Sequence, residues 1–258
     1  MMPDVLAVAG RVAIECDPRL VDCFRRSFAG AEIVARTDPP AAALTDENFD
    51  FQSAAGDLGR WLRPDETAFR RDGDGYLVAD TARAAALREC YRREDGEILV
   101  GLTWRSASPN IGDLKSMDVN DLAEILGVGG CRFINLQYGD TKAELESLRK
   151  NGVSVLHTDR EIDPMVDFDG HLAQIAAMDI VISASNSTVH AAGALAVPTL
   201  AMIRHMPDRR WLMDREDTPW YPSVRLLRQQ HVADWTAPVA QAAAELRRFV
   251  AEAASRRT

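Results

Sequence analysis

The sequence predicts an α/β fold with a largely parallel sheet, and three observations carry that prediction. Short apolar or β-branched runs alternate with helix-patterned segments along nearly the whole chain, as βαβ units do. One passage, 179–198, compresses such a unit. Ile180 to Ile182 is a β-branched run, and Ser183, Ser185, Asn186, Ser187 and Thr188 are of the types that cap helix N-termini. Val189 to Leu195 then runs in helix formers until Pro198 forbids continuation. Finally, 258 residues at 47 % hydrophobic and 27 % charged make an ordinary globular chain, long enough for one large domain or two small ones.

Taken in order, Arg11–Glu15 is predicted as a strand, Pro18–Phe28 as a helix and Ala31–Ala35 as a strand. Asp-Pro-Pro within Thr37–Asn48 predicts a loop, followed by a short strand at Phe49–Phe51 and a helix near Leu58–Leu62. Proline, glycines and acidic residues make Arg63–Gly75 a loop, and Thr81–Arg93 is an amphipathic helix. The series then becomes cleaner. Strands are predicted at Ile98–Thr103, Arg132–Gln137, Val153–Leu156, Asp179–Ser183, Thr199–Ile203 and Val224–Leu227. Between and after them lie helices Val119–Leu126, Lys142–Lys150, Gly170–Ala177, Ser187–Leu195 and Val239–Ala254. The break at Asp95-Gly96 divides the chain into units 1–95 and 96–258, two α/β units in tandem whose ligand is expected in the cleft between them, at the carboxyl ends of the second unit's strands.

The net charge of −9 argues against a general nucleic-acid or anionic-membrane binder, so an anionic ligand needs a local pocket. Cys16, Cys23, Cys90 and Cys131 form no CxxC or Cys/His pattern and read as reduced thiols, with no zinc and no disulfide framework. No run is long enough to span a bilayer and no signal peptide is visible, so a cytoplasmic location is expected.

Polar residues cluster at the predicted strand ends of the second unit. A helix opening on the 183–188 turn would present unpaired N–H groups and roughly half a positive charge, a seat for phosphate. Arg105 and Lys115 follow the first strand of this unit and suit a diphosphate, with surface salt-bridging as the competing reading. Ser187 and Thr188 offer hydroxyl and backbone donors. Gln137, next to Tyr138, has the donor and acceptor a base edge or ribose needs, or else caps its strand end. His190, in the first helical turn, is expected to be neutral and to contact phosphate or sugar, against a packed structural role. Asp72-Gly-Asp74 matches a metal-binding DxD only superficially and reads as turn chemistry. Asp214, Glu216 and Asp217 among Trp211, Trp220 and Tyr221 make either a sugar platform or a packed loop.

Val100-Gly-Leu-Thr-Trp-Arg-Ser, Phe133-Ile-Asn-Leu-Gln-Tyr-Gly-Asp, Ser183-Ala-Ser-Asn-Ser-Thr-Val-His-Ala-Ala-Gly-Ala-Leu, and Arg210-Trp with Asp217-Thr-Pro-Trp-Tyr-Pro-Ser together resemble one group. It is the GT-B glycosyltransferase domain that closes bacterial tetratricopeptide-repeat proteins, related to heptosyltransferases and more distantly to O-GlcNAc transferases. The resemblance implies two Rossmann-like domains facing a cleft and transfer of a sugar from a nucleotide-diphosphate donor to a protein or glycan acceptor, without a metal or other cofactor. By position, Asn186, Ser187, Thr188 and His190 would meet the diphosphate, Lys115 would be a second phosphate contact, and Gln137 and Tyr138 would lie near the nucleoside. Many relatives carry Asp where this chain has Asn186. Met2-Pro-Asp-Val-Leu resembles the helix after the family's first strand and glycine-rich loop, so the N-terminal domain is expected to be incomplete, without the acidic base that heptosyltransferases keep there. The alternatives are a non-catalytic nucleotide-sugar-binding or scaffold protein and, third, a nucleotide-sugar epimerase.

Overall fold

The alternation seen in the sequence resolves into two parallel sheets of unequal size. The structure, a computed structural model, describes residues 1–45, 49–69, 74–153, 156–159 and 161–256. The first sheet has two strands, β1 (Ala13–Cys16) and β2 (Glu32–Ala35), in parallel register from Ala13↔Glu32 to Cys16↔Ala35. Helix α1 (Met2–Val8) precedes it, and α2 (Val21–Ser27) crosses between its strands after a 3-10 turn that the Asp17 carboxylate caps through the Arg19 N–H. Helices α3 (Gly59–Leu62) and α4 (Thr81–Tyr91) follow, the latter capped by Asp80 on the Arg83 N–H.

The second sheet has six strands: β3 (Ile98–Thr103), β4 (Cys131–Asn135), β5 (Leu156–His157), β6 (Ile180–Ala184), β7 (Thr199–Ile203) and β8 (Val224–Arg228). All pair in parallel, in the order β5-β4-β3-β6-β7-β8. This is a doubly wound sheet, and its strand order reverses between β3 and β6. The connecting helices are α5 (Gly112–Lys115), α6 (Ala123–Leu126), α7 (Lys142–Lys150), α8 (Phe168–Ala176) and α9 (Ser187–Ala194), with α10 (Thr236–Ser255) closing the fold.

Every residue of β3, β6 and β7 is buried, which explains why these strands read as continuous apolar runs: helices cover both faces. Ile98, Val100 and Leu102 of β3 point into a core with Leu122, Ile125, Ala242 and Leu246, while Leu99 points the other way, against Leu172, Ile175 and Ala192. Each such fully buried aliphatic side chain contributes about 1.5–3 kcal/mol. The second core also takes Cys23 from α2 and Tyr91 from α4, so the N-terminal segments share it with the larger sheet. Ion pairs Arg26–Asp169 and Arg83–Asp167 reinforce that contact, and Phe69 meets Trp220 edge-on at 4.8 Å.

Three expectations change. Phe49–Phe51 forms no strand, and Phe51 lies 93 % exposed: three residues with no neighbouring strand to pair with have no ladder to join. Residues 112–115, where no element is expected between the strand at Ile98–Thr103 and the helix at Val119–Leu126, make the short helix α5. The single helix predicted over 119–126 is a 3-10 stretch, Val119–Leu122, running into α6, because the Asp118/Asp121 capping box tightens its first turn. Residues 154 and 155 of the predicted strand at Val153–Leu156 lie outside the described residues, as do Asp72 and Gly73 of the DxD motif.

Candidate functional site

Asn186 organises the switch point between β3 and β6. As the N-cap of α9 its side-chain oxygen accepts the Thr188 N–H at 2.9 Å. Its amide nitrogen donates to Thr103 Oγ1 at 2.9 Å and to the Arg105 carbonyl at 3.0 Å. One buried side chain thus starts the helix and ties it to the end of the strand on the other side of the reversal. Thr103 Oγ1 and Ser183 Oγ close the link between β3 and β6 at 2.5 Å. The first turn of α9 therefore opens where doubly wound sheets bind ligands, with its dipole's positive end outward.

Cationic side chains gather around this turn. Lys115, at the end of α5, donates to Asp208 Oδ2 at 2.6 Å, and Arg204, just past β7, approaches the same carboxylate at 3.7 Å. Arg210 Nη1 lies 3.2 Å from His190 Nε2. The His190 ring stacks on Trp211 at 5.1 Å and 6° between planes, and Trp211 is fixed by an indole N–H donated to Ser185 Oγ at 2.9 Å. His190 Nδ1 sits 3.1 Å from the Tyr221 hydroxyl, which is hydrogen-bonded in turn to Tyr76. Gly193 makes this packing possible: a Cβ there would lie 2.4 Å from Tyr221 Cγ.

His190 is neutral, as expected, but the leading cause differs from the one expected. Burial pushes its pKa down to about 4, with the Arg210 and Lys115 charges adding to that and Asp208 opposing. A second buried histidine, His171 of α8, is also pushed down to about 4 by burial; its Nε2 lies 3.4 Å from Thr188 Oγ1.

The remaining residues singled out in the sequence fall into two groups. Ser187 is exposed at the mouth of the turn, whereas the Thr188 side chain is buried toward His171. Arg105 projects away from α9: its Nε donates to Glu144 Oε1 at 2.7 Å and Nη2 to the Asp140 carbonyl at 2.8 Å. Gln137 caps the end of β3, its Oε1 accepting the Trp104 and Arg105 N–H groups at 3.0 and 2.9 Å. The Tyr138 hydroxyl accepts the Ala107 N–H at 2.8 Å and so holds the loop after β3. Glu216 pairs with Arg225 and Asp217 with Arg215, which also reaches Glu66 at 2.7 Å, so this acidic loop is engaged in ion pairs. Asp208, Arg204 and His171 carried no signal in sequence, because each draws its meaning from partners far along the chain.

Among the described residues no group of three or more His, Cys, Asp and Glu side chains is placed to hold a metal ion. Nor is any helix among them long and apolar enough to cross a membrane. Two surface hollows of about 310 and 280 Å³ lie elsewhere, one along Asp121, Glu124 and Asp234, the other along Asp214, Glu216, Arg228 and Gln241.

No family model matches the chain. Protein FlbA of Caulobacter vibrioides is 31 % identical over 265 residues, covering 97 % of this chain and 44 % of that protein, so the chain spans less than half of that relative's length. Among solved structures, Escherichia coli ADP-heptose LPS heptosyltransferase II overlaps 68 % of this chain and 53 % of its own at 15 % identity and TM-score 0.47. The E. coli heptosyltransferase WaaC with ADP overlaps 98 % of this chain and 77 % of its own at 16 % identity and TM-score 0.45.

Proposed function

We propose that the chain binds a nucleotide-diphosphate sugar at the α9 turn and transfers its sugar to a protein or glycan acceptor, in the manner of a metal-independent GT-B glycosyltransferase. The observation that carries this reading is the convergence of the Asn186-capped start of α9 with Lys115, Arg204 and Arg210 at the strand reversal. A leaving nucleoside diphosphate gains negative charge as the glycosidic bond breaks, and prepositioned N–H dipoles and cations stabilise charge at that point without reorganising. Ser187, at the mouth of the turn, and the first-turn N–H groups would face the phosphates, with Lys115 reaching them from α5. Gln137 and Tyr138 shape the neighbouring loop on which a nucleoside would rest. Units 1–95 and 96–258 would then serve as acceptor and donor sides. The motif resemblance supports the same reading from independent segments of the chain.

Release of nucleoside diphosphate from a panel of nucleotide sugars, with and without candidate acceptors, tests it. Acceptor-dependent release is expected with at least one donor. Donor binding without transfer or hydrolysis would leave a binding protein instead, and donor conversion without acceptor an epimerase.

A further inference from the structure

We infer that Arg210 is the cation that grips the diphosphate, and that His190 and Tyr221 act on it as positioning residues rather than touching the ligand themselves. This rests on reading the α9 turn as the seat of the donor's diphosphate. The argument begins with which atoms can donate. A guanidinium has only donors, so at 3.2 Å it is His190 Nε2 that accepts from Arg210 Nη1. A neutral imidazole then carries its proton on Nδ1, which donates to Tyr221 Oη at 3.1 Å. The Tyr221 hydroxyl is itself paired with Tyr76. Both ring nitrogens of His190 are therefore occupied, and the ring is pinned face-on against Trp211. No N–H of His190 is left for a phosphate.

Arg210 differs from its neighbours. Lys115 and Arg204 share the Asp208 carboxylate, and Arg105 is tied to Glu144. Among the described residues Arg210 has no carboxylate within 4 Å, and it is exposed beside the open end of α9. Among the described residues its guanidinium hydrogen-bonds to a neutral acceptor, His190 Nε2, which orients the fork without quenching its charge. Tyr76 reaches this relay because residues 75–77 lie against the end of α9, where Tyr76 and Leu77 N–H groups donate to the Ala194 carbonyl at 2.8 and 3.0 Å. The N-terminal unit thereby contributes to the tautomer that holds Arg210.

The test uses inorganic pyrophosphate, which has neither base nor sugar, titrated calorimetrically into the chain and into Arg210→Gln, Tyr221→Phe and the double variant. Nitrogen NMR of histidine-labelled protein, with His190→Gln to assign the resonance, reads the tautomer in parallel. Arg210→Gln is expected to weaken pyrophosphate binding about tenfold or more. Tyr221→Phe is expected to weaken it about threefold and to give His190 a mixed tautomer, with the double variant no weaker than Arg210→Gln alone. The inference falls if Arg210→Gln binds within twofold of the parent chain, if the two losses multiply, if wild-type His190 carries its proton on Nε2, or if pyrophosphate does not bind. Pyrophosphate binding that depends on Arg210, with no response to any nucleotide sugar, would sink the donor reading and leave this inference standing. Nucleotide-sugar binding indifferent to Arg210→Gln would do the reverse.

Discussion

Replacing Asn186 separates the two jobs its side chain does. In Asn186→Ala the cap on the Thr188 N–H is lost, worth about 1 kcal/mol. The bonds to Thr103 Oγ1 and the Arg105 carbonyl go as well, at about 1 kcal/mol each. The sum is about 3 kcal/mol, which for a chain of this size lowers the melting temperature by about 6–12 °C. Asn186→Ser keeps an N-cap oxygen but reaches neither partner across the reversal, so about 2 kcal/mol should be lost. Urea unfolding followed by tryptophan fluorescence measures both, with an unchanged m-value confirming that the native state has lost stability rather than compactness. An alanine variant within about 0.5 kcal/mol of the parent would refute the bridging role. A serine variant as unstable as alanine would show that the cap carries none of the loss.

Four further outcomes follow from the same geometry. Lys115→Ala should weaken nucleoside diphosphate binding far more than nucleoside binding; equal losses would remove Lys115 from the phosphate site. Gly193→Ala drives a Cβ to within 2.4 Å of the Tyr221 ring near its root, where the side chain has no room to swing, and should cost about 1–3 kcal/mol in a denaturant midpoint; a neutral result would mean the ring is not seated there. His190 has a folded pKa of about 4 against an ordinary 6.5, so the unfolded chain takes up its proton first as pH falls. Its contribution is whole above about pH 6.5 and is lost toward pH 4, at about 1.4 kcal/mol per unit. His190→Gln should therefore flatten the stability–pH slope by one proton, and an unaltered slope would contradict its burial. Arg105→Ala should lower the melting temperature through loss of the Glu144 pair yet leave pyrophosphate affinity within twofold, and a large affinity loss would return Arg105 to the phosphate site.

Strands β3 and β7 and helix α7 have the bounds the residues suggested, because Ile98–Thr103 and Thr199–Ile203 are apolar runs with a single threonine at one end and Lys142–Lys150 is strongly amphipathic. Local pattern also marked the serine-rich turn, whose cap is a nearest-neighbour bond between Asn186 and Thr188. What sequence does not show is pairing at a distance. Lys115 meets Asp208 across 93 residues and Arg105 meets Glu144 across 39, and those partners decide which charges remain unpaired at the site. Helix α5 was hidden for a different reason: Pro109, Asn110 and Gly112 are loop punctuation, but Gly112 is seated where a Cβ would press on the Ser106 carbonyl at 2.5 Å. The Phe49–Phe51 run failed for want of a neighbour, since β1 and β2 pair only with each other among the described strands.

A crystal of the chain grown with a nucleoside diphosphate would test the central claim most directly, through the position of the two phosphorus atoms. They should lie within hydrogen-bond reach of the first-turn N–H groups of α9, with Lys115 and the Arg210 guanidinium on their oxygens. Phosphates found along Asp214, Arg228 and Gln241, or anywhere away from the β3–β6 reversal, would contradict it.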